Sequence, residues 1–433
     1  MKADILIKGG RIIDPAKGVD MVADVAVYDG KVAALGHLGE NSGVETIDAE
    51  GMIVAPGFID MHTHLREPGS SDETIESGTM AAALGGFTAV CPMPNTTPPI
   101  DSPAMVDYIV MKAAREANVR VLPIGCITKG RAGAELAEMA LMEARGAVAF
   151  SDDGSPVSDT EVMRRALEYS KILRRPIIEH CEDMSLSKDG EGSEGPVATK
   201  LGLMPIPRAS EEAMAARDLV LAIRTGGRLH LAHLSTELSI SLFKWARAYG
   251  ANVTAEVTPH HMALTYDLLA GYNTYAKVNP PLRGEDDRAA VALAAKNGFI
   301  DAIATDHAPW SDEKKLREFK NAPNGISGIE CGVAMSWTTL VRGLGMGASD
   351  FVAMFTTGPA RALGFAPPSL AEGSVADITV IDPGTVRKLD PSAFLSRGKN
   401  NPAAGMELAG WPYATIIAGR AAMLAGAVRR WRA

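Results

Sequence analysis

Several short apolar runs of the sequence end in histidine or aspartate, the residue types that hold catalytic metal ions. In residues 57–64 the two-residue period of a strand places His62 and His64 on one face. Nitrogen and carboxylate donors without thiolates suit Zn²⁺, or Mn²⁺ or Co²⁺ in the same geometry. Any one such residue is more simply explained as a core or surface group, but a set at equivalent strand ends predicts a metal site with one or two ions. The candidate ligands are His62, His64, Asp153, His180, His233 and Asp306.

These side chains can converge only if the runs before them are parallel strands. Between about residues 56 and 363, short apolar runs alternate with helical patterns, which is typical of repeated βα units. Eight such units close a barrel, whose chemistry lies at the carboxyl ends of the strands. The predicted strands are the run ending at Met61 and residues 86–91, 119–124, 147–150, 177–179, 229–232, 253–257 and 300–304.

Both ends of the chain have strand-like runs separated by glycine and aspartate turns. Residues 3–47 show this pattern, and residues 375–383 and 413–420 continue it. We therefore expect the two ends to pair into one small β domain. The predicted organisation is an α/β protein with a (β/α)8 barrel over residues 56–365 and a composite β-sandwich from residues 1–55 and 366–433.

The composition argues against several kinds of partner. The 433 residues carry a net charge of −9, whereas a nucleic-acid surface needs an excess of lysine and arginine. No run reaches the roughly 18 apolar residues of a membrane span, and charges interrupt the first apolar runs, so a cytoplasmic protein is expected. The four cysteines form no CxxC pair and are expected to be reduced, buried thiols.

A dense charge cluster occupies residues 312–318, directly after the last predicted strand end. Its position at the mouth of the barrel allows two interpretations of residues 310–324. The segment is either a mobile lid over the site or an inert, solvated loop.

Four motifs of this sequence resemble the class of dihydroorotase that is found free or associated with aspartate transcarbamoylase. They are DMHTHLREPG at residues 60–69, MPNT at 93–96, NPPLR at 279–283 and TDHAP at 305–309. The resemblance spans nearly the whole chain. The HLREPG segment is specific to the family, whereas His-x-His marks only the wider amidohydrolase superfamily.

The resemblance implies a TIM-like barrel of the metal-dependent amidohydrolase type, zinc as cofactor and a small-molecule substrate. The implied reaction is the reversible cyclisation of N-carbamoyl-L-aspartate to L-dihydroorotate in pyrimidine biosynthesis. A homodimer is expected, and a complex with aspartate transcarbamoylase is left open.

The resemblance also assigns roles to two aspartates. Many relatives bridge their metals with a carboxylated lysine, where this chain has Ser151-Asp152-Asp153. This pattern resembles the branch in which an aspartate substitutes, and the interval to His180 favours Asp153 over Asp152. Asp306 would accept a proton from water and pass it to the departing ring nitrogen.

A substrate carboxylate requires a cation, and Arg66 lies two residues beyond His64, on the same face. The alternative for Arg66 is a surface ion pair with Glu67. By resemblance, Asn95 shares the carboxylate and Asn279 contacts the ring amide, beside His64.

The chain departs from the family at two substrate-contacting positions. Many members have a second histidine four residues after the catalytic aspartate, where this chain has Trp310. They also have an aromatic residue before the lid glycine, where this chain has Asn324 before Gly325.

Two other functions compete with this interpretation. A hydantoinase-like cyclic amidase would act on a ring without a carboxylate, which Arg66 and the missing bridging lysine argue against. A catalytically silent partner of aspartate transcarbamoylase would be expected to lose metal ligands, and this chain keeps all of the candidates.

Overall fold

The computed structural model describes residues 3–38 and 43–429. Residues 1–2, 39–42 and 430–433, which belong to the predicted terminal units, lie outside the described residues. The strands are β1 (Ala3–Asp14), β2 (Val19–Tyr28), β3 (Lys31–Gly36), β4 (Gly43–Asp48), β5 (Ile53–Pro56), β6 (Phe58–Thr63), β7 (Phe87–Pro92), β8 (Arg120–Val121), β9 (Ile124–Gly125), β10 (Ala149–Ser151), β11 (Ile177–Glu179), β12 (Gly192–Ser193), β13 (Pro205–Ile206), β14 (Leu229–Leu231), β15 (Val253–Val257), β16 (Ala302–Ile303), β17 (Ile378–Asp382), β18 (Arg387–Lys388), β19 (Glu407–Leu408), β20 (Trp411–Ile417), β21 (Arg420–Leu424) and β22 (Ala427–Val428).

Helices follow most of the central strands, and local capping explains where several of them begin. The side chain of Asp159, for example, accepts hydrogen bonds from the amides of Glu161 and Val162 at the start of α4. The α-helices are α1 (Ile75–Leu84), α2 (Pro103–Glu116), α3 (Met139–Glu143), α4 (Thr160–Leu173), α5 (Met184–Ser187), α6 (Pro196–Leu201), α7 (Ala209–Thr225), α8 (Glu237–Ala248), α9 (Pro259–Ala263), α10 (Glu285–Lys296), α11 (Asp312–Lys315), α12 (Gly332–Ser336), α13 (Ala348–Ala353) and α14 (Thr357–Leu363).

The central strands form the predicted eight-stranded parallel barrel. The order β6-β7-β8 continues through β9-β10-β11-β14-β15-β16, and a parallel bridge between Thr63 and His307 closes the ring. The third barrel strand, predicted as residues 119–124, is divided into β8 and β9. Pro123 lies between them and has no N–H to donate to the ladder. The barrel prediction is therefore confirmed.

The two ends of the chain pair into one composite sheet beside the barrel. Its strand order is β22-β21-β20-β17-β5-β1-β2-β3, with β4 pairing to β1. The joint between the two ends is antiparallel, with Ile53 opposite Ile381 and Pro56 opposite Ile378. This confirms a β domain built from both termini, whereas the division at residues 55/56 and 365/366 stays a prediction.

Apolar side chains fill the barrel and the layer between strands and helices. The four cysteines are buried and free, as predicted. Two buried aromatic rings stack in this core, with the ring centroids of Phe355 and Phe58 5.0 Å apart. No helix in the described ranges is long and apolar enough to cross a membrane.

Candidate metal centre and active site

The candidate metal ligands all lie at the carboxyl ends of barrel strands. His62 lies in β6 and His64 just after it, and Asp153, His180, His233 and Asp306 follow β10, β11, β14 and β16. Parallel strands present these ends at one mouth of the barrel. His233 and Asp306 have φ values of 32° and 46°. Non-glycine residues rarely adopt positive φ, and such outliers concentrate at functional sites.

Asp153 lies at the centre of the cluster and contacts histidines on both sides. Its Oδ1 is 3.4 Å from His62 Nε2, 3.6 Å from His180 Nδ1 and 3.8 Å from His233 Nε2. Its Oδ2 is 3.6 Å from His64 Nε2. The donor atoms thus form two groups, His62-His64-Asp153 and Asp153-His180-His233, which share the aspartate.

The spacing of these atoms matches that expected around a metal ion. Two donors about 2.1 Å from one ion in tetrahedral geometry lie roughly 3.4 Å apart. Asp306 Oδ1 completes the first group, at 3.5 Å from His62 Nε2 and 2.9 Å from His64 Nε2. His62 Nε2 and Asp153 Oδ1 are both buried without a hydrogen-bond partner. Buried polar atoms are normally paired, so their convergence indicates a site for a cation.

Hydrogen bonds on the far side of the imidazoles orient them toward this site. His62 Nδ1 lies 2.6 Å from Glu256 Oε1, and His64 Nδ1 lies 3.0 Å from Asn95 Oδ1. Each Nδ1 faces an acceptor, and in the tautomer with the proton on Nδ1 each Nε2 presents a lone pair to the carboxylates. Carboxylates are acceptors too, and a cation between the groups removes this conflict.

Glu256, which was not predicted as a site residue, is fully buried in β15 and holds His62. Its second oxygen lies 3.2 Å from His230 Nε2, and His230 Nδ1 lies 2.8 Å from the Thr254 hydroxyl. Burial alone would raise the pKa of Glu256, but His62 and His230 hold it at about 2. The available signal was a charged residue inside an apolar strand, which is rare without a partner.

The side chains of Asp152 and Asp153, which are adjacent in the sequence, contact different partners in the structure. Asp152 turns away and accepts hydrogen bonds from the amides of Ile127 and Thr128, at 2.9 and 3.1 Å, and from the Thr128 hydroxyl. Asp153 faces the histidines. Burial would raise its pKa, but the adjacent imidazoles hold it well below its ordinary value. The choice of Asp153 over Asp152 as the shared ligand stays a prediction.

The mouth of the barrel contains a cavity of about 170 Å³ above this cluster. That is below the roughly 300 Å³ of pockets for drug-sized ligands, so the cavity suits a small molecule. His62 lies beneath it. Every residue predicted to bind substrate lines the cavity, together with five predicted metal ligands: His64, Arg66, Asn95, Asp153, His180, His233, Asn279, Asp306, Trp310, Asn324 and Gly325.

Arg66 is a partly buried cation at this cavity. Its Nε donates to the Pro309 carbonyl at 3.3 Å, and its guanidinium lies 4.2 Å above the centre of the Trp310 ring. Glu67 does not pair with it, because Glu67 contacts Lys112 at 3.2 Å. Within the described chain, Arg66 forms no salt bridge, and burial lowers its pKa to about 10. The ion pair with Glu67 considered above is thus not formed.

The two predicted asparagines contact the metal-site residues as well as the cavity. Asn95 Nδ2 donates to Asp153 Oδ2 at 3.2 Å, so this amide joins His64 to the shared carboxylate. Asn279 Nδ2 donates to Glu182 Oε2 at 2.9 Å, and the same oxygen is 3.0 Å from His180 Nε2. Glu182 was not singled out from the sequence, although it follows His180 by two residues.

Comparison with known proteins agrees with this architecture. The family model described as dihydro-orotase-like matches residues 51–239. In overall structure the chain is similar to the L-hydantoinase (dihydropyrimidinase) from Arthrobacter aurescens, with a TM-score of 0.89 and 26% identity over 99% of this chain and 97% of that one. The fold and the histidine-aspartate cluster at the barrel mouth define the amidohydrolase class.

Curated relatives narrow this class to one family. The dihydroorotase of Pelotomaculum thermopropionicum is 49% identical over 420 residues, covering 97% of this chain and 98% of that protein. The dihydroorotase of Geobacter metallireducens is 48% identical over 419 residues, covering 96% and 99%. The chain therefore belongs to the dihydroorotase family.

Proposed function

We propose that this protein catalyses the reversible, zinc-dependent cyclisation of N-carbamoyl-L-aspartate to L-dihydroorotate, the ring-closing step of pyrimidine biosynthesis. The observation that carries the substrate assignment is Arg66, a guanidinium at the cavity without a carboxylate partner in the described chain. A partly buried guanidinium that is not paired with a carboxylate favours a ligand that supplies one. Both the substrate and the product of this reaction carry a carboxylate that can do so.

The proposed metal site uses His62, His64, Asp153, His180, His233 and Asp306. We infer two ions per subunit, because two donor groups share Asp153. Zinc in such a site activates water at neutral pH and polarises a carbonyl oxygen.

Asp306 is the proposed general base and acid. Burial would raise the pKa of its carboxyl, but His64 and the other imidazoles hold it below the ordinary value, so the group is ionised at neutral pH. In ring opening, Asp306 accepts a proton from the attacking water and delivers it to the ring nitrogen as the carbon–nitrogen bond breaks. In ring closure Asp306 accepts a proton from the attacking nitrogen as the carbon–nitrogen bond forms, and delivers it to the oxygen that departs as water when the carbon–oxygen bond breaks.

The cavity residues position the ring for this transfer. Arg66 would bind the carboxylate with its two Nη atoms, which make no hydrogen bond within the described chain. Asn279, Asn324 and Gly325 would contact the ring, and Trp310 would line the cavity beside Arg66, whose guanidinium lies over its indole. Asn95 would share the carboxylate while it holds His64.

A metal analysis combined with a turnover assay tests this function. Purified protein should contain firmly bound zinc and turn over dihydroorotate much faster than hydantoin or dihydrouracil. Chelation should abolish turnover, and added zinc should restore it. Full activity in metal-free protein, or a preference for dihydrouracil, would contradict the proposal.

A hydantoinase-like activity is the second candidate, and the similarity in structure to the Arthrobacter aurescens L-hydantoinase favours it. The same three-substrate assay separates the two activities, since the ring that a hydantoinase opens has no carboxylate to pair with Arg66. A silent partner of aspartate transcarbamoylase would show no turnover.

We further propose that the protein is cytoplasmic and forms a homodimer. Sedimentation with and without aspartate transcarbamoylase tests the homodimer and the possible complex.

A further inference from the structure

The segment between Trp310 and Gly325, for which the sequence allowed either a lid or an inert loop, forms a wall of the cavity. The indole Nε1 of Trp310 donates to the Asn324 carbonyl at 2.7 Å, and the amide of Gly325 donates to the Lys277 carbonyl at 3.0 Å. The Asn400 side chain donates to the Gly325 carbonyl at 2.9 Å. The two ends of the segment are therefore joined to each other, and the Gly325 end is tied to the body of the protein.

Two buried lysines join this segment to residues 274–277, which end two residues before Asn279. Lys315 is 0% exposed, although it lies in the charge cluster of residues 312–318. Its Nζ donates to the carbonyls of Thr274 at 2.8 Å, Lys277 at 3.0 Å and Pro323 at 2.9 Å. An ammonium group has three N–H donors and no acceptor, so the three carbonyls satisfy it fully.

The second lysine makes the reverse connection. Lys277 Nζ donates to the carbonyls of Phe319 at 2.7 Å and Lys320 at 3.0 Å, and lies 5.2 Å from the centre of the Phe319 ring. The side chain of each lysine thus extends from its own segment, residues 274–277 or residues 310–325, and binds backbone carbonyls of the other. We call these two residues with their five carbonyl contacts the lysine clasp.

Two of the backbone carbonyls in the clasp lie close in the sequence to residues that line the cavity. The Lys277 carbonyl, which Lys315 contacts, also accepts the Gly325 amide and lies two residues before Asn279. The Pro323 carbonyl is one residue before Asn324. A buried ammonium is stable only with full hydrogen bonding, so its loss would release both walls rather than a single contact. Burial and the nearby Lys277 and Arg66 lower the pKa of Lys315 to about 7.

We propose that Lys315 and Lys277 are positioning residues for substrate, which fix the distance between the Asn279 wall and the Asn324–Gly325 wall of the cavity. The proposal rests on the proposed function for the identity of the substrate. It assigns the clasp to substrate binding and not to the metal centre, whose ligands lie on other segments.

The test is Lys315→Met, which keeps an unbranched apolar stem and removes the ammonium. Lys320→Met is the matched control, because its side chain is exposed in the same segment. Loss of a buried charged group should raise the KM for dihydroorotate by about tenfold or more. The value of kcat and the zinc content should change little, and amide hydrogen exchange in residues 310–325 should accelerate relative to α4.

A KM and an exchange rate equal to those of Lys320→Met would overturn the proposal. So would a fall in kcat with zinc loss at unchanged KM, since the lysine would then support the metal centre. If Lys315→Met does not fold, Lys277→Met is judged by the same measurements. If the wild-type protein fails to turn over dihydroorotate, the proposed function fails, while hydrogen exchange still decides whether the clasp holds the wall.

Discussion

Replacing Arg66 separates a carboxylate-binding role from a structural one. Arg66 has a φ of 58°, a conformation that is equally unfavourable for arginine, lysine and methionine because all three have an unbranched Cβ. Arg66→Lys and Arg66→Met therefore leave the backbone strain unchanged. Both lose the 3.3 Å contact from Nε to the Pro309 carbonyl. Lysine can still place its charge over Trp310, and methionine can pack its sulfur there.

Comparing kcat/KM for two substrates isolates the contribution of the contact between Arg66 and the substrate carboxylate. A hydrogen bond to a charged group contributes about 1.5 to 3 kcal/mol, which corresponds to roughly one to two powers of ten in kcat/KM for dihydroorotate. Arg66→Met should lose this amount. Arg66→Lys should lose less but still measurably, because a point charge cannot reproduce two parallel hydrogen bonds to a carboxylate. Dihydrouracil has no carboxylate, so its slow turnover should barely respond.

The assay compares kcat/KM for dihydroorotate and dihydrouracil across the wild type and both variants, with zinc content as the control. The zinc content should stay constant, since Arg66 is not among the clustered donor atoms. A parallel loss on both substrates would refute the reasoning. It would mean that Arg66 supports the fold or the metal site through Pro309 and Trp310.

Three other predictions follow from the site and the core. Asp306→Asn should retain zinc but lose about 10²-fold or more in kcat, and near-wild-type kcat would place the general base elsewhere. Glu256→Gln should weaken zinc retention about 10- to 100-fold in a chelator competition, because the 2.6 Å contact to His62 loses its charge; unchanged retention would exclude this role. Phe355→Ala should lower the free energy of unfolding by about 3 to 5 kcal/mol in denaturant titrations, with exposed Phe299→Ala as the control, and equal effects would contradict the assigned packing.

Much of the barrel could be predicted because its signals are local. Apolar runs of strand length separated by amphipathic helices define βα units without knowledge of any contact. The ligand residues follow these runs directly, so the parallel topology alone brings them together. The exception was the third strand, where Pro123 interrupts the ladder between β8 and β9.

The partners of the site residues were less predictable because they come from distant strands. Glu256 reaches His62 across 194 positions of the sequence, and its place inside an apolar strand indicates that it needs a partner but not which residue that partner is. Asp152 and Asp153 have the same local pattern, and only the amides of Ile127 and Thr128 decide which carboxylate turns away.

The sequence by itself determined the barrel, the composite β domain and the residue types at the strand ends, since each depends on periodicity within a short window. The tertiary structure alone decided that Arg66 has no carboxylate partner in the described chain and that Lys315 is buried while its neighbour Lys314 pairs with Asp72. Adjacent lysines have equal local propensities. Their different roles arise because residues 274–277 bring backbone carbonyls to one of them and not to the other.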